Sequence, residues 1–404
     1  MKTKMDFKEL IWRLLPFDPE VKRELKRERR LSGSKIRTDR EHLIATAQWL
    51  INAQSANKDD GVSRGYSASG SFGLGPKGWQ VSYPETTGYI IPTMFALADF
   101  FNEAEYRDRA IKMADWEIDI QLSSGAVMGS VVTAPSSPAV FNTGQVIFGW
   151  LEAFRKSGDQ KYLEAALRAG NYLVSVQEPN GSWVKENSMY ALNRATTYNT
   201  RVAWALAELG LEANEDKYTN ASRKNLEYAL TKQNDNGWFS DNCLNDPANP
   251  LLHTIVYAAR GVLESGILLK EARYVDAAVK TLNALVNCQR SDGGIPGRLA
   301  SDWSATANWD CLTGDAQASV AWLRAYSITG EGKYMDAARR AIEFVKRSQN
   351  LEHPNPGIRG GVKGSFPFDG PYGQYRLLNW AAKFFCDALM LANDPDLRKK
   401  GIHG

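Results

Sequence analysis

The chain has 404 residues, 43% of them hydrophobic, with 49 basic and 46 acidic side chains and a formal net charge of +3. That length and apolar content supply a large core, and the balance of charge gives no argument for a nucleic-acid partner, so none is expected. No run of about eighteen apolar residues is present, so no transmembrane helix is expected. The cysteines (Cys243, Cys288, Cys311, Cys386) and histidines (His42, His253, His353, His403) lack metal-ligand spacing, so neither a metal nor another cofactor is expected.

Residues 1–39 form a basic leader, beginning "MKTKMDFKELIWRLLPFDPEVKRELKRERR", without a signal-peptide core or cleavage site. A cytoplasmic protein is therefore expected. The leader is read as a solvated helix, with weak contact between "FKELIWRLLPF" and an anionic membrane surface or a partner as the alternative.

From Arg40 onward the chain repeats itself. Tyrosines at 106, 162, 218, 274 and 334 open similar segments, such as "KYLEAA" and "RYVDAA", at spacings of 56, 56, 56 and 60 residues. Glutamines at 121, 177, 233, 289 and 349 keep the same register, and Gln54 opens the series one slightly longer period earlier. The residues from each Tyr to its Gln, as in "KYLEAALRAGNYLVSVQ", carry apolar positions at helical spacing and one polar face, which predicts an amphipathic outer helix. Before each Tyr comes a helix with little polar face, such as "TGYIIPTMFALADFF" or "TGQVIFGWLEAF", which needs neighbours on all sides. Six of each kind, with an apolar helix last where an open solenoid would carry a polar cap, predict an all-α fold: an (α/α)6 toroid of six helical hairpins over residues 40–395, followed by a tail at 396–404.

Inner-to-outer turns are short, whereas outer-to-inner connections are long and rich in Gly, Pro, Asn and aromatics. The long loops must then share one rim with the inner helix N-termini, whose unpaired N–H groups favour anions. Thr87, Thr143, Thr254 and Thr313 at these helix starts are expected as N-caps. Glu85 and Asp310 are not explained by capping, and two carboxylates meeting across an aromatic cavity suit general acid and base on a glycosidic bond. Asp302 and Asp369 are substitutes from neighbouring loops. A second constellation joins Tyr83 and His253 with Arg201, Arg194, Arg359 and Lys363, and suits proton exchange at a carbon beside a carboxylate. Tyr198, Tyr372 and Tyr375 belong to the same constellation, Asn142 stands at an equivalent position, and these four are expected to bind substrate together with Arg201, Arg359, Trp79, Trp303 and Trp309. Trp79, Trp183, Trp238, Trp303 and Trp309, at a repeated place after the Gln, are expected either to stack on sugars or to clasp repeats together.

Two resemblances follow from these residues. "QEPNGSW" and "QNDNGW" resemble the QW motif of terpene cyclases, which ties helical repeats together, although the acidic DxDD motif of those cyclases is absent. "YPETTGYIIPTMFALADFF", "TGQVIFGWLEAFRKSGDQKYLEAALRA" and "ANWDCLTGDAQ" are similar to the helical toroid domain of glucuronyl epimerases and related polysaccharide lyases and hydrolases, and to proteins associated with bacterial surface-polysaccharide biosynthesis. The second resemblance implies that Tyr83 matches a catalytic tyrosine and Asp310 an aspartate of the family; the tyrosine that follows the latter there is Cys311 here. The expectation is a carbohydrate-active enzyme with Glu85, Asp310, Tyr83 and His253 catalytic and a glycan as partner. Glycoside hydrolysis and uronate lysis or epimerisation are both open, a non-catalytic sugar- or isoprenoid-binding toroid is the first alternative, and a terpenoid-type cyclase is the second.

Overall fold

The computed structural model describes residues 18–30, 36–70, 76–134, 137–188, 191, 194–243 and 246–404. Helix α1 (Pro19–Glu28) precedes six hairpin units. The outer helices are α2 (Asp39–Ser55), α4 (Ala104–Asp119), α6 (Gln160–Ser175), α8 (Asp216–Leu230), α10 (Ala272–Asn287) and α12 (Gly332–Ser348). The inner helices are α3 (Pro84–Phe101), α5 (Val140–Ser157), α7 (Thr200–Ala213), α9 (Leu252–Leu269), α11 (Leu312–Thr329) and α13 (Asn379–Asn393), and α14 (Pro395–Lys400) closes the order. Each inner helix packs on the next, α13 packs back on α3, and α13 also pairs with α2. The ring is closed, and the fold is the (α/α)6 toroid that the repeats predict.

The repeated residues are the ties of this ring. Gln121 Nε2 donates to the Gly125 and Ala165 carbonyls at 2.9 and 3.0 Å, and Gln177 donates to those of Gly181 and Ala221 at 3.1 and 2.9 Å. Gln233 and Gln289 repeat the pattern on Ala277 and Ala337. Each glutamine thus fastens the end of one outer helix to the flank of the next. The repeat tyrosines add a second stitch, from Tyr162 to Asp115 at 2.8 Å and from Tyr218 to Asn171 at 2.9 Å. At Gly181 the backbone has φ of 88°, and a Cβ there would meet the Lys224 carbonyl oxygen at 2.2 Å, so this turn admits only glycine. Trp183, buried, donates to the Leu173 carbonyl at 3.0 Å, which ties its loop to the outer helix of its own hairpin.

The short inner-to-outer turns reverse through left-handed residues, Asn102, Gly158, Asn214, Lys270 and Gly330, in the same register as the repeat. At the opposite rim, small strands join the long loops. β1 (Gly65–Ser67) lies between β2 (Gly78–Trp79) and β5 (Arg376–Leu378), tying the first loop to the last, and β3 (Asp310–Cys311) pairs with β4 (Ser365–Phe366).

Both ends of the chain are more structural than the reading as leader and tail. The motif "FKELIWRLLPF" lies outside the described residues, but α1 is docked: Glu24, buried, and Glu28 pair with buried Lys363 at 2.9 and 2.6 Å. Residues 395–404 fill the base of the ring. There Arg324 donates to the Arg398 carbonyl at 2.7 Å, Arg260 to those of Ile402 and Gly404 at 2.7 and 3.2 Å, and Lys383 to that of Gly404 at 2.7 Å.

Candidate functional site

The long loops and inner helix N-termini surround a cavity of about 200 Å³ at the rim. Its wall is a nearly continuous band of rings. Tyr83 lies 6.5 Å from Trp380, His253 lies 5.0 Å from Tyr372 and 5.5 Å from Tyr257, and Phe141 lies 5.5 Å from Tyr257 and 5.0 Å from Tyr198. Trp380 Nε1 donates to the Tyr372 hydroxyl at 2.9 Å, which links the two halves of the band. A cup lined by ring faces binds flat, partly apolar molecules, as the faces of a sugar ring are.

Glu85 is the one carboxyl among the described residues that line this cup. It sits in the first turn of α3, where Pro84 opens the helix, and the Tyr83 hydroxyl donates to its Oε2 at 2.7 Å. Burial raises its pKa above the usual carboxylate range, against the opposing pull of the Tyr83 hydrogen bond, Arg64 and Arg201. The guanidinium of Arg64 lies over the Tyr83 and Trp380 rings at 5.5 and 5.8 Å. Arg201 is fully buried one layer deeper, 4.6 Å from the centre of the Tyr257 ring, with Nε on Gln145 at 2.8 Å. His253, 7% exposed, has no partner for Nε2, and burial together with Arg298 pushes its pKa down to about 3. It is a neutral imidazole at any ordinary pH and an acceptor or donor for a sugar hydroxyl.

The structure therefore brings Glu85, Tyr83, His253, Tyr198 and Tyr372 to one place, and it does not bring Asp310 there. Asp310 is buried on β3 and receives a bond of 2.6 Å from Arg290. Burial raises its pKa, and the arginine draws it back down. Asp302 is exposed and accepts from Ser304, and Asp369 does not line the cup either. Trp79 packs on Trp49 and Tyr66, Trp303 on Trp238, and Trp309 against Gly297, so these three stand outside the cup as well. Asn142 donates to the Met128 carbonyl at 2.9 Å, Arg359 is exposed, and Tyr375 packs on Phe368.

The capping expectation is corrected. The N-cap positions of α3, α5 and α9 are Tyr83, Ala139 and Leu251, none with a side-chain cap bond. Thr87 and Thr143 lie one turn inside, donate to the carbonyls of Tyr83 and Ala139 at 2.9 and 2.7 Å, and accept the Val62 and Val127 N–H groups at 3.0 and 2.9 Å. Asp315 does the same for Ile295 at 2.9 Å. These positions hold the incoming loop against the helix.

Six lining residues escaped the reading of the sequence: Arg64, Tyr89, Phe141, Ser188, Tyr257 and Trp380. Tyr89 follows Glu85 by four residues and Tyr257 follows His253 by four, so the inward stripe of each inner helix was a usable signal. Arg64 comes from the first rim loop, which no periodicity marks, whereas Trp380 is the second residue of α13.

With the closed ring and the cup described, the fold belongs to a recognisable class of structures. No family model and no curated protein matches the sequence. Among solved structures, an unsaturated glucuronyl hydrolase specific for heparin aligns with a TM-score of 0.70 at 13% identity, covering 90% of this chain and 99% of that one. Cellobiose 2-epimerase from Bacillus thermoamylovorans aligns at 0.69 and 11% identity, over 88% and 98% of the two chains. Unsaturated glucuronyl hydrolase from Bacillus sp. GL1, responsible for glycosaminoglycan degradation, aligns at 0.64 and 11% identity, over 87% and 96%. At these identities the likeness establishes the toroid fold. No helix of the described residues is long and apolar enough to cross a membrane.

Proposed function

We propose that the chain is a carbohydrate-active enzyme that works on one terminal sugar of a glycan, with Glu85 as the acid. The observation that carries this reading is a carboxyl of raised pKa, alone among the described lining residues, facing an aromatic cup of about 200 Å³. A cavity of that size admits about one ring and leaves the rest of the chain outside, so an end of the glycan is favoured over its middle.

A carboxyl that begins protonated gives its proton first and, as carboxylate, takes one back. One residue thus serves both as acid to the departing oxygen or the reacting carbon and as base toward the incoming water. Tyr83 steadies the charged form between these steps through its hydrogen bond to Oε2. The neutral His253 orients a hydroxyl. Arg64 supplies positive charge beside the cup, which suits an acidic sugar. Hydrolytic release of a terminal acidic sugar fits this set, and it accords with the solved hydrolases that share the fold.

Epimerisation is the second reading, favoured by the Tyr83 hydroxyl bound to Glu85, because such a pair can exchange a proton at carbon. The two-carboxylate mechanism is left without its second member, since Arg290 holds Asp310 elsewhere. Polysaccharide biosynthesis stays the expected setting, on the resemblance alone.

Wild-type protein incubated with acidic and neutral oligosaccharides in deuterated water, followed by mass spectrometry, tests the proposal. Release of a single terminal sugar supports hydrolysis, and one carbon-bound deuteron without cleavage supports epimerisation. An absence of both across the panel contradicts an enzymatic role and leaves a sugar-binding toroid.

A further inference from the structure

Helix α1 sorts its charges. Its acids, Glu20, Glu24 and Glu28, recur every fourth residue and face the first and last rim loops. Lys77 pairs with Glu20 at 2.9 Å, Asn350 donates to Glu24 at 2.6 Å, and the Phe368 N–H donates to Glu28 at 3.0 Å. Lys363 joins Glu24 and Glu28. A solvated helix would instead mix the two signs along one face and satisfy them within itself.

The bases lie on the other side. Arg23, Lys26, Arg27 and Arg30 follow the i, i+3, i+4, i+7 pattern of one helix face and line a groove of about 540 Å³ opposite Lys346 and Arg347 at the end of α12. The groove's one acid among the described lining residues is Glu352, which Arg37 already holds at 2.6 Å. Lys346 is satisfied by Asp39 and Glu343 at 2.7 and 2.6 Å. Arg27 donates to the carbonyls of Ser348 and Gln349 at 3.1 and 2.5 Å, and Arg347 donates to the Asp292 carbonyl; neither makes an ion pair among the described residues, although Glu24, Glu28 and Glu352 lie near enough to act on Arg27. Arg23, Lys26 and Arg30 are exposed and have no ion pair among the described residues. Like charges gathered in one concavity repel each other unless an anion joins them.

We propose that this groove binds a phosphoryl-rich group, a diphosphate or its equivalent. Five guanidinium groups line it, Arg37 included, and their planar forks match the oxygens of phosphate. A single carboxylate would leave most of this charge uncompensated, and a group carrying several phosphoryl charges balances it. The same chemistry occurs on soluble phosphorylated compounds and on anionic lipid headgroups. Because this groove is separate from the residues of the cup, the proposal stands independently of the catalytic reading.

The test uses the full chain and the exposed triple variant R23A/K26A/R30A, with circular-dichroism melting to confirm its fold and R30A alone as the fallback. Sodium pyrophosphate is titrated calorimetrically, and vesicles of phosphatidylglycerol in phosphatidylcholine are tested by sedimentation. Saturable, salt-sensitive pyrophosphate binding that weakens about a hundredfold in the triple variant is expected. Vesicle binding that the variant loses, and that pyrophosphate displaces, assigns the source to a lipid headgroup; pyrophosphate binding without vesicle binding assigns it to a soluble compound. Citrate bound as tightly as pyrophosphate, no binding of either phosphate probe at low salt, or undiminished binding by the folded variant overturns the proposal.

Discussion

The two ends of the ring treat buried charge in opposite ways. At the base, Arg324 holds Glu264 with two bonds of 2.8 Å, Glu208 takes both Arg155 at 3.1 Å and His403 at 2.5 Å, and Lys383 takes Asp387 at 2.7 Å. At the rim, His253 Nε2 has no partner and Glu85 keeps a raised pKa. The same inner helices pass through both ends. The paired charges of the base hold the fold, whereas Glu85 and His253 open on the cup, where a ligand can reach them.

Breaking the base should have the largest effect. Arg324→Ala leaves Glu264 buried without its main partner, and a loss of about 3–5 kcal/mol in urea unfolding is expected, with turnover per folded molecule unchanged. A loss of turnover without a loss of stability would erase the contrast between the two ends.

Lys383 sharpens the same contrast. Burial, partly offset by Asp387, lowers its pKa from 10.5 to about 7. The unfolded chain therefore binds the extra proton between those values, so this lysine contributes stability that is complete above about 10.5 and is lost as pH falls through about 7. Lys383→Met should flatten the rise of stability across that window by roughly 2–4 kcal/mol, measured as urea midpoints at several pH values. Parallel curves for the two proteins would contradict the assignment.

Two carboxyls at the rim provide a finer comparison. Glu85 opens on the cup, whereas Asp310 serves Arg290 outside it. Asp310→Asn should cost about 1–2 kcal/mol of stability and change turnover by less than about threefold, because no reacting atom meets it. A far larger fall in kcat would return Asp310 to the chemistry.

The limits of the sequence reading follow from the same physics. The register of Tyr and Gln was legible because these residues repeat their stitches from hairpin to hairpin, and a repeated bond leaves a repeated letter. The inner helices were legible from their missing polar face. Glu85 stood out because neither capping nor packing explained a carboxylate there. Asp310 stood out on equal grounds, and its partner Arg290 lies across a turn whose geometry is set only by the fold. Arg64 depends on a rim loop that the long-range pairing of β1 with β5 places, and Trp380 opens α13 just after β5. Residues 401–404, short and polar in part, carry no pattern that announces their seat inside the ring.

The most direct test compares Glu85→Gln with the wild type on whichever oligosaccharide the screen identifies, reading kcat and the dissociation constant of the intact sugar together. The account predicts that kcat falls roughly a thousandfold while affinity changes by less than about fivefold, because glutamine keeps the shape and the Tyr83 hydrogen bond but has no proton to give. Turnover within a fewfold of wild type would contradict it.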